Sequence, residues 1–366
     1  MRWTLNNSQA LSAAQLDRAV GVLLASAAGD ALGAGYEFGP TQPELTPDMI
    51  GGGLGGFAPG EWTDDTDMSI GVAIAAATGV DLRSPEGLDQ VAKQFRRWHQ
   101  SQPADIGMQT AQVLGSAREA TAAGLAAAAE AFHHRNGRSA GNGSLMRTGP
   151  VAIAYLDDPF AIVDAAMKVS ALTHYETVAQ EACAVWCLII RHAVLVGEFP
   201  QFSDIAQWVP SPTYWQEVFA QAEENHPFNF TQNGWAVGAL QAAWSAITHT
   251  PVPNTGYPSE HLREALYTAI RIGHDTDTVA AIAGQVLGAR WGASAVPANW
   301  RRLLHGWPDS DDATLEALAT LIARKGSPCA NGWPRADRVD RRQWGAPFIV
   351  QHPHSTNLFL GTASSL

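Results

Sequence analysis

Charge is scarce in this chain. Of 366 residues, 16% are Asp, Glu, Lys or Arg, while 46% are hydrophobic. So small a charged share leaves few side chains to cover a surface and predicts a thick, largely buried body. The net charge is −12, which argues against nonspecific nucleic-acid binding. Cysteine is limited to three positions, Cys183, Cys187 and Cys329. The first two lie one helical turn apart inside the apolar run 182–190, so they read as core thiols rather than ligands or a disulfide. No uninterrupted apolar run approaches the ~18 residues of a membrane span. The start, Met1-Arg2-Trp3-Thr4-Leu5-Asn6-Asn7, lacks the apolar core of a secretion signal. The expectation is a cytoplasmic protein with neither membrane nor nucleic acid among its partners. Alternating strand segments, heptads, fixed-period repeats and low-complexity tails are also missing.

What is present is helical periodicity. Apolar spacing predicts helices over 20–32, 69–77, 109–131, 159–169, 179–196, 237–247, 261–272, 279–287 and 314–323. Several are so rich in Ala and Gly that their backbones must pack closely. Four loops separate them. Residues 39–60 are rich in Gly and Pro and read equally well as a mobile lid or a passive connector. Residues 199–231, with many prolines and aromatics, read as a surface excursion, and 250–257 as a connection. The tail from Lys325, with Trp333, Trp344, Phe348 and Phe359, is aromatic enough to pack back on the body. No clear linker interrupts the helices, so the prediction is one domain over 1–366.

Two acidic clusters carry the most chemistry, Thr63-Asp64-Asp65-Thr66-Asp67 and His274-Asp275-Thr276-Asp277-Thr278. Each stands just before an apolar helical run, which places the acids at helix N-termini, where the dipole tolerates negative charge. A lone Asp-Thr-Asp is most often an N-cap with a solvated neighbour. Two near-copies are different, because four carboxylates brought together repel unless a cation joins them. Oxygen-only ligands without clustered Cys or His point to Mg2+ or Mn2+ rather than zinc. An EF-hand is excluded by the missing Gly and Glu of its loop.

Charge accounting adds Glu37. Two divalent ions carry +4, and Asp64, Asp65, Asp275, Asp277 and Glu37 carry −5, leaving a site able to accept water and an anionic substrate. Asp30, within Gly29-Asp30-Ala31-Leu32-Gly33, ends a helix of small apolar residues and is expected inside the protein or lining a cleft. In Gly141-Asn142-Gly143-Ser144-Leu145-Met146-Arg147, Gly and Asn permit positive φ, so successive N–H groups can converge on an anion; an ordinary turn is the competing reading. Asp105-Ile106-Gly107 reads as a helix N-cap. His174 follows Thr173 ahead of another helix, where it is either structural or a ligand contact.

Taken in order, these six stretches resemble the ADP-ribosylglycohydrolase family over roughly residues 20–300. The resemblance implies an all-α fold with a binuclear Mg2+ or Mn2+ centre in a cleft. It assigns Thr63, Asp64, Asp65 and Asp277 to one ion and Glu37, Asp275, Asp277 and Thr278 to the other, with Asp277 bridging. It gives Gly141, Asn142, Gly143, Ser144 and His174 to the pyrophosphate and ribose of ADP-ribose, and Glu37 or Asp105 to proton handling. The implied activity is hydrolysis of the bond between ADP-ribose and a modified acceptor, arginine first and serine second, with ADP-ribose as product. His274 stands where the family often has Gly or Asn. Two other readings compete: an all-α metal-dependent phosphohydrolase, from His274-Asp275, and a non-catalytic ADP-ribose binder.

Overall fold

The computed structural model describes residues 10–327 and Pro334. The helices are α1 (Ala13–Gly33), α2 (Asp64–Ala77), α3 (Pro85–Gln100), α4 (Met108–Ser116), α5 (Ala122–Asn136), α6 (Gly149–Ala154), α7 (Pro159–Ala171), α8 (Thr177–Val196), α9 (Phe202–Ile205), α10 (Pro212–Glu224), α11 (Ala236–His249), α12 (His261–Arg271), α13 (Thr276–Trp291), α14 (Ala298–Arg301) and α15 (Asp312–Ala323). Strand structure among the described residues is limited to a two-residue pair, His305–Gly306 against Ser310–Asp311. The all-α expectation holds.

α1 and α13 form the axis of the molecule, and both are buried on every face, α1 from Ala19 to Gly33 and α13 from Thr276 to Ala289. Their backbones touch. A Cβ at Gly288 would lie 1.9 Å from the Gly21 carbonyl oxygen, and one at Gly284 would lie 2.2 Å from that of Ala25. Only glycine allows two helices this close. The same contact continues to the end of α1, where a Cβ at Gly33 would meet the Asp277 Cα at 2.5 Å. It therefore carries Asp30, one turn earlier, to the acidic start of α13. α2 packs on α1, α3, α6 and α15, and α8, α11 and α12 pack on the outer side of α13.

Three expectations need correction. The predicted helix 109–131 is two helices, α4 and α5. The break is held by α3: Arg96 donates to the Leu114 and Ala117 carbonyls, and Asp89 accepts the Ala122 N–H at 2.7 Å. Thr121 then caps α5 through the Gly124 N–H. Residues 199–231 are more than a surface excursion, since they hold α9 and α10. There the Trp215 side chain is fully buried and donates to Glu181 at 2.8 Å, while Phe219 packs edge-on against Trp244 of α11. α3 was not expected; Ser84 caps it and Pro85 opens it.

The loop 39–60 is tethered at both ends. Gln42 and Thr41 donate to the carbonyls of Arg271 and Ile272, and the His305 N–H reaches the Gly60 carbonyl. Cys183 and Cys187 are buried free thiols, as expected. The tail aromatics Trp333, Trp344, Phe348 and Phe359, and Cys329, lie outside the described residues.

Candidate metal centre

Asp30 organises the first acidic cluster from below. Fully buried, it accepts the backbone N–H of Thr63 at 3.0 Å, and its second oxygen takes the N–H and hydroxyl of Thr66 at 3.0 and 2.6 Å. This fixes the turn into α2. Thr63 is the N-cap, and its hydroxyl donates to Asp65 Oδ2 at 3.1 Å. Asp67 faces elsewhere, clamped by the indole N–H groups of Trp62 and Trp98, both at 2.9 Å.

The second cluster starts from a strained turn. Gly273 and His274 both have left-handed φ, 82° and 62°. Glycine adopts this freely; histidine does not. His274 is exposed, and its main chain pairs with Gly39 and Phe38, which draws Glu37 toward α13. Asp275 is half-buried and Asp277 buried. The Thr278 hydroxyl donates to Asp65 Oδ2 at 3.3 Å.

The carboxylates converge in two groups with a common member. One oxygen each from Asp30, Asp65 and Asp277 lie within 4.8 Å of one another, and so do oxygens of Glu37, Asp275 and Asp277. Asp277 belongs to both. Asp64 is a member of neither group, its Oδ2 accepting the Gly107 N–H at 3.3 Å, whereas Asp30 is a member of the first. Two buried carboxylate oxygens, Glu37 Oε2 and Asp65 Oδ1, have no hydrogen-bond partner.

This cluster of acids holds on to protons. Burial raises the Glu37 carboxyl to about 8, with repulsion from Asp105, Asp275, Asp64 and Asp30 adding to it. Burial and then Asp105 raise Asp64 to about 7, and burial raises Asp30 to about 6 against the pull of its Thr66 and Thr63 bonds. Asp65 and Asp277 are pushed well up, by burial first and then by neighbouring carboxylates. Unpaired buried charge is costly, so such a group either stays protonated or meets a cation.

Asp105, expected to cap α4, does not. Gly107 holds the cap position, and Asp105 accepts the adjacent Ile106 N–H at 2.7 Å, half-buried. Burial, and then Asp275, raise its carboxyl above the usual range.

The turn at 141–144 decides between the two readings of its sequence in favour of an ordinary turn. It is a right-handed 3-10 turn over Asn142–Ser144, with Gly141 at φ −62°, and positive φ does not occur in it. The Asn142 carbonyl accepts the N–H groups of Leu145 and Met146, which winds the chain right-handed and rules out the convergent nest. Asn142 spends both amide hydrogens, on the Asn233 carbonyl at 2.8 Å and on Asp275 Oδ2 at 2.7 Å. Ser144 turns inward to Ser170 at 2.9 Å. That leaves the half-exposed Gly141 and Gly143, under which the buried His174 lies. A Cβ on either glycine would be 3.5 Å from His174 Nε2.

Arg147 was quoted in its motif without a role, and the structure supplies one. Its side chain is fully buried over the Phe95 ring, at 4.5 Å, and donates to the Gly143 carbonyl at 2.9 Å and the Thr173 hydroxyl at 2.6 Å. Burial lowers it only to about 10, so it remains a cation beneath the turn. Burial and this cation push His174 well below its ordinary value, which keeps the imidazole neutral.

The ADP-ribosylglycohydrolase family model matches residues 11–331. The chain belongs to this family. It is a hydrolase of glycosidic bonds. It is 29% identical over 305 residues to ADP-ribosylarginine hydrolase Tri1 of Pseudomonas putida (strain GB-1), covering 82% of this chain and 77% of that one. Identity to the ADP-ribosyl-[dinitrogen reductase] glycohydrolase of Rhodospirillum rubrum is 26% over 292 residues, covering 78% and 89%. A solved ADP-ribosylglycohydrolase-related protein complex superimposes with a TM-score of 0.62 at 26% identity, over 86% of this chain and 99% of that one.

The family's divalent ions fit these donors. The candidate donor atoms are hard oxygens, two of them are buried without a partner, and the Thr63 and Thr278 hydroxyls send their protons to Asp65, although Thr63 also accepts the Asp65 N–H. Asp30 is the one carboxylate of these groups that the sequence reading did not count among the candidate ligands. Its signal was already visible as one carboxylate at the end of an otherwise small and apolar helix.

Proposed function

We propose that this chain is a metal-dependent hydrolase that releases ADP-ribose from ADP-ribosylated arginine on a protein. The observation that carries the reading is the pair of carboxylate triads sharing Asp277, with Glu37 Oε2 and Asp65 Oδ1 left without partners. Asp30, Asp65 and Asp277 would hold one Mg2+ or Mn2+, with Thr63 and Asp64 beside it. Glu37, Asp275 and Asp277, with Thr278, would hold the second. When bound, such ions orient ribose hydroxyls and acidify a water molecule.

The chain's own groups supply the rest. Gly141 and Gly143 offer half-exposed backbone suited to the pyrophosphate, and the neutral His174 supports them from beneath. The anomeric carbon–nitrogen bond breaks through an oxocarbenium-like state, and a neutral guanidine departs with the electron pair. Water adds its oxygen to the anomeric carbon. Its proton passes to the Asp105 carboxylate and on to the guanidine, which becomes arginine's guanidinium. Arginine needs no acid before it leaves, whereas a serine alkoxide would. An acidic cleft also attracts a cationic acceptor, and the relatives with 29% and 28% identity are named ADP-ribosylarginine hydrolases.

Mass spectrometry of products from matched arginine-linked and serine-linked ADP-ribosyl peptides tests the choice. The reading expects unmodified peptide and free ADP-ribose from the arginine substrate in preference. Turnover of the serine peptide alone would contradict it.

A further inference from the structure

Asn233 lies between α10 and α11, outside every motif the sequence singles out. It is buried, and its side chain and carbonyl are all engaged. Nδ2 donates to the Gly273 carbonyl at 3.0 Å, and Oδ1 accepts the Asp275 N–H at 3.2 Å. These two bonds bracket His274, the non-glycine residue held at φ 62°. Such a conformation is strained for a side chain and persists only where its surroundings over-determine it. On its other side, the Asn233 carbonyl accepts the Asn142 amide at 2.8 Å, and the adjacent Gly234 carbonyl accepts the Asn142 N–H at 3.2 Å. The remaining amide hydrogen of Asn142 goes to Asp275 Oδ2 at 2.7 Å. Asn233, Asn142 and Asp275 thus close a ring.

We propose that Asn233 is a positioning residue that fixes Asp275 and the 141–144 turn in one register, so that the metal side and the ADP-ribose side of the cleft are assembled by one clasp. The proposal rests on the function proposed above. Through Asn233 the strained turn cannot relax without moving Asp275, and Asp275 cannot turn without releasing Asn142. Free ADP-ribose and Mn2+ are therefore both held less well when the clasp is opened, although Asn233 contacts neither.

Two variants test this by direct binding, with Mn2+ followed by electron paramagnetic resonance and free ADP-ribose by calorimetry. Asn233→Ala should weaken Mn2+ by about 10-fold or more and weaken ADP-ribose as well, in protein whose melting shows it folded. Asn233→Asp is nearly isosteric and leaves no cavity. Its added negative charge alone would tighten Mn2+. As a clasp it fails, because a carboxylate cannot donate to the Gly273 carbonyl, and Mn2+ should bind more weakly. Equal or tighter Mn2+ binding by Asn233→Asp overturns the proposal, as does a folded Asn233→Ala variant with wild-type affinity for both ligands. Wild-type protein that binds neither ligand overturns the proposed function itself, and the clasp with it.

Discussion

The Thr278 hydroxyl donates to Asp65 Oδ2 across 3.3 Å, joining the first turn of α13 to the first turn of α2 over a separation of 213 residues. The two helix starts thus share their acids, and each acid's environment is set by the other helix. Asp277, on the same turn as Thr278, is the member common to both carboxylate triads.

Asp277→Asn should weaken both divalent ions together. A neutral amide removes one charge from both triads, and Mn2+ affinity should fall by about 10-fold or more, since even groups behind the ligands are worth that much. Melting should change little in metal-free protein, because a repelled buried carboxylate has been removed. Wild-type Mn2+ stoichiometry and affinity in this variant would remove Asp277 from its assigned place.

Metal-free protein should lose stability as pH rises. In the fold Asp30, Asp64 and Glu37 keep their protons up to about 6, 7 and 8. Unfolded carboxyls release theirs near ~4. Between these values the folded state binds more protons than the unfolded state, so each step up in pH favours unfolding. The stabilisation is complete below about pH 4 and is gone above about pH 8. Thermal melts in chelator should give a Tm that falls from about pH 5 to about pH 8, and Mn2+ added at the upper end should restore it. A Tm that rises across this window would contradict the assignment.

Much of this acidic cluster was legible in the sequence. Acids just ahead of apolar runs announced the starts of α2 and α13, and Asp30 announced itself as a charge among small residues. What could not be read is which atoms satisfy each other across the fold. Asp30 binds backbone groups of Thr63 and Thr66, which leave no trace in composition. The break between α4 and α5 is invisible in an Ala-rich stretch, because Arg96 and Asp89 of another helix create it. Gly and Asn at 141–143 permitted a left-handed nest, and the right-handed turn won because Asn142 is gripped from two sides by Asn233 and Asp275.

Gly33→Ala should damage the site through backbone contact alone. Gly33 has an ordinary right-handed φ of −81°, so alanine is not strained there. Its Cβ, however, would lie 2.5 Å from the Asp277 Cα and 2.6 Å from its nitrogen. Overpacking of this kind costs about 1–3 kcal/mol. Denaturant melts should show that loss, and Mn2+ affinity should fall with it. Unchanged stability would mean that α1 and α13 separate freely.

Asp67→Ala separates structural acid from ligand. It strands two buried indole N–H groups, on Trp62 and Trp98, at about 1–3 kcal/mol each. Stability should drop while Mn2+ stoichiometry, measured on folded protein, stays as in wild type. Loss of an ion would place Asp67 in the centre.

Gly143→Val should weaken binding of free ADP-ribose. A Cβ there meets His174 Cε1 at 3.4 Å and the Thr110 hydroxyl at 3.5 Å, so the γ-methyls beyond it press on these side chains and displace the turn. Calorimetry on protein with wild-type melting decides it. Undiminished affinity would put the phosphates elsewhere.

The most direct test of the whole account is the release of free ADP-ribose from an ADP-ribosyl-arginine peptide by protein stripped with chelator, before and after Mn2+ is restored. The account predicts no release without metal and recovery with it. Full turnover by verified metal-free protein would contradict it.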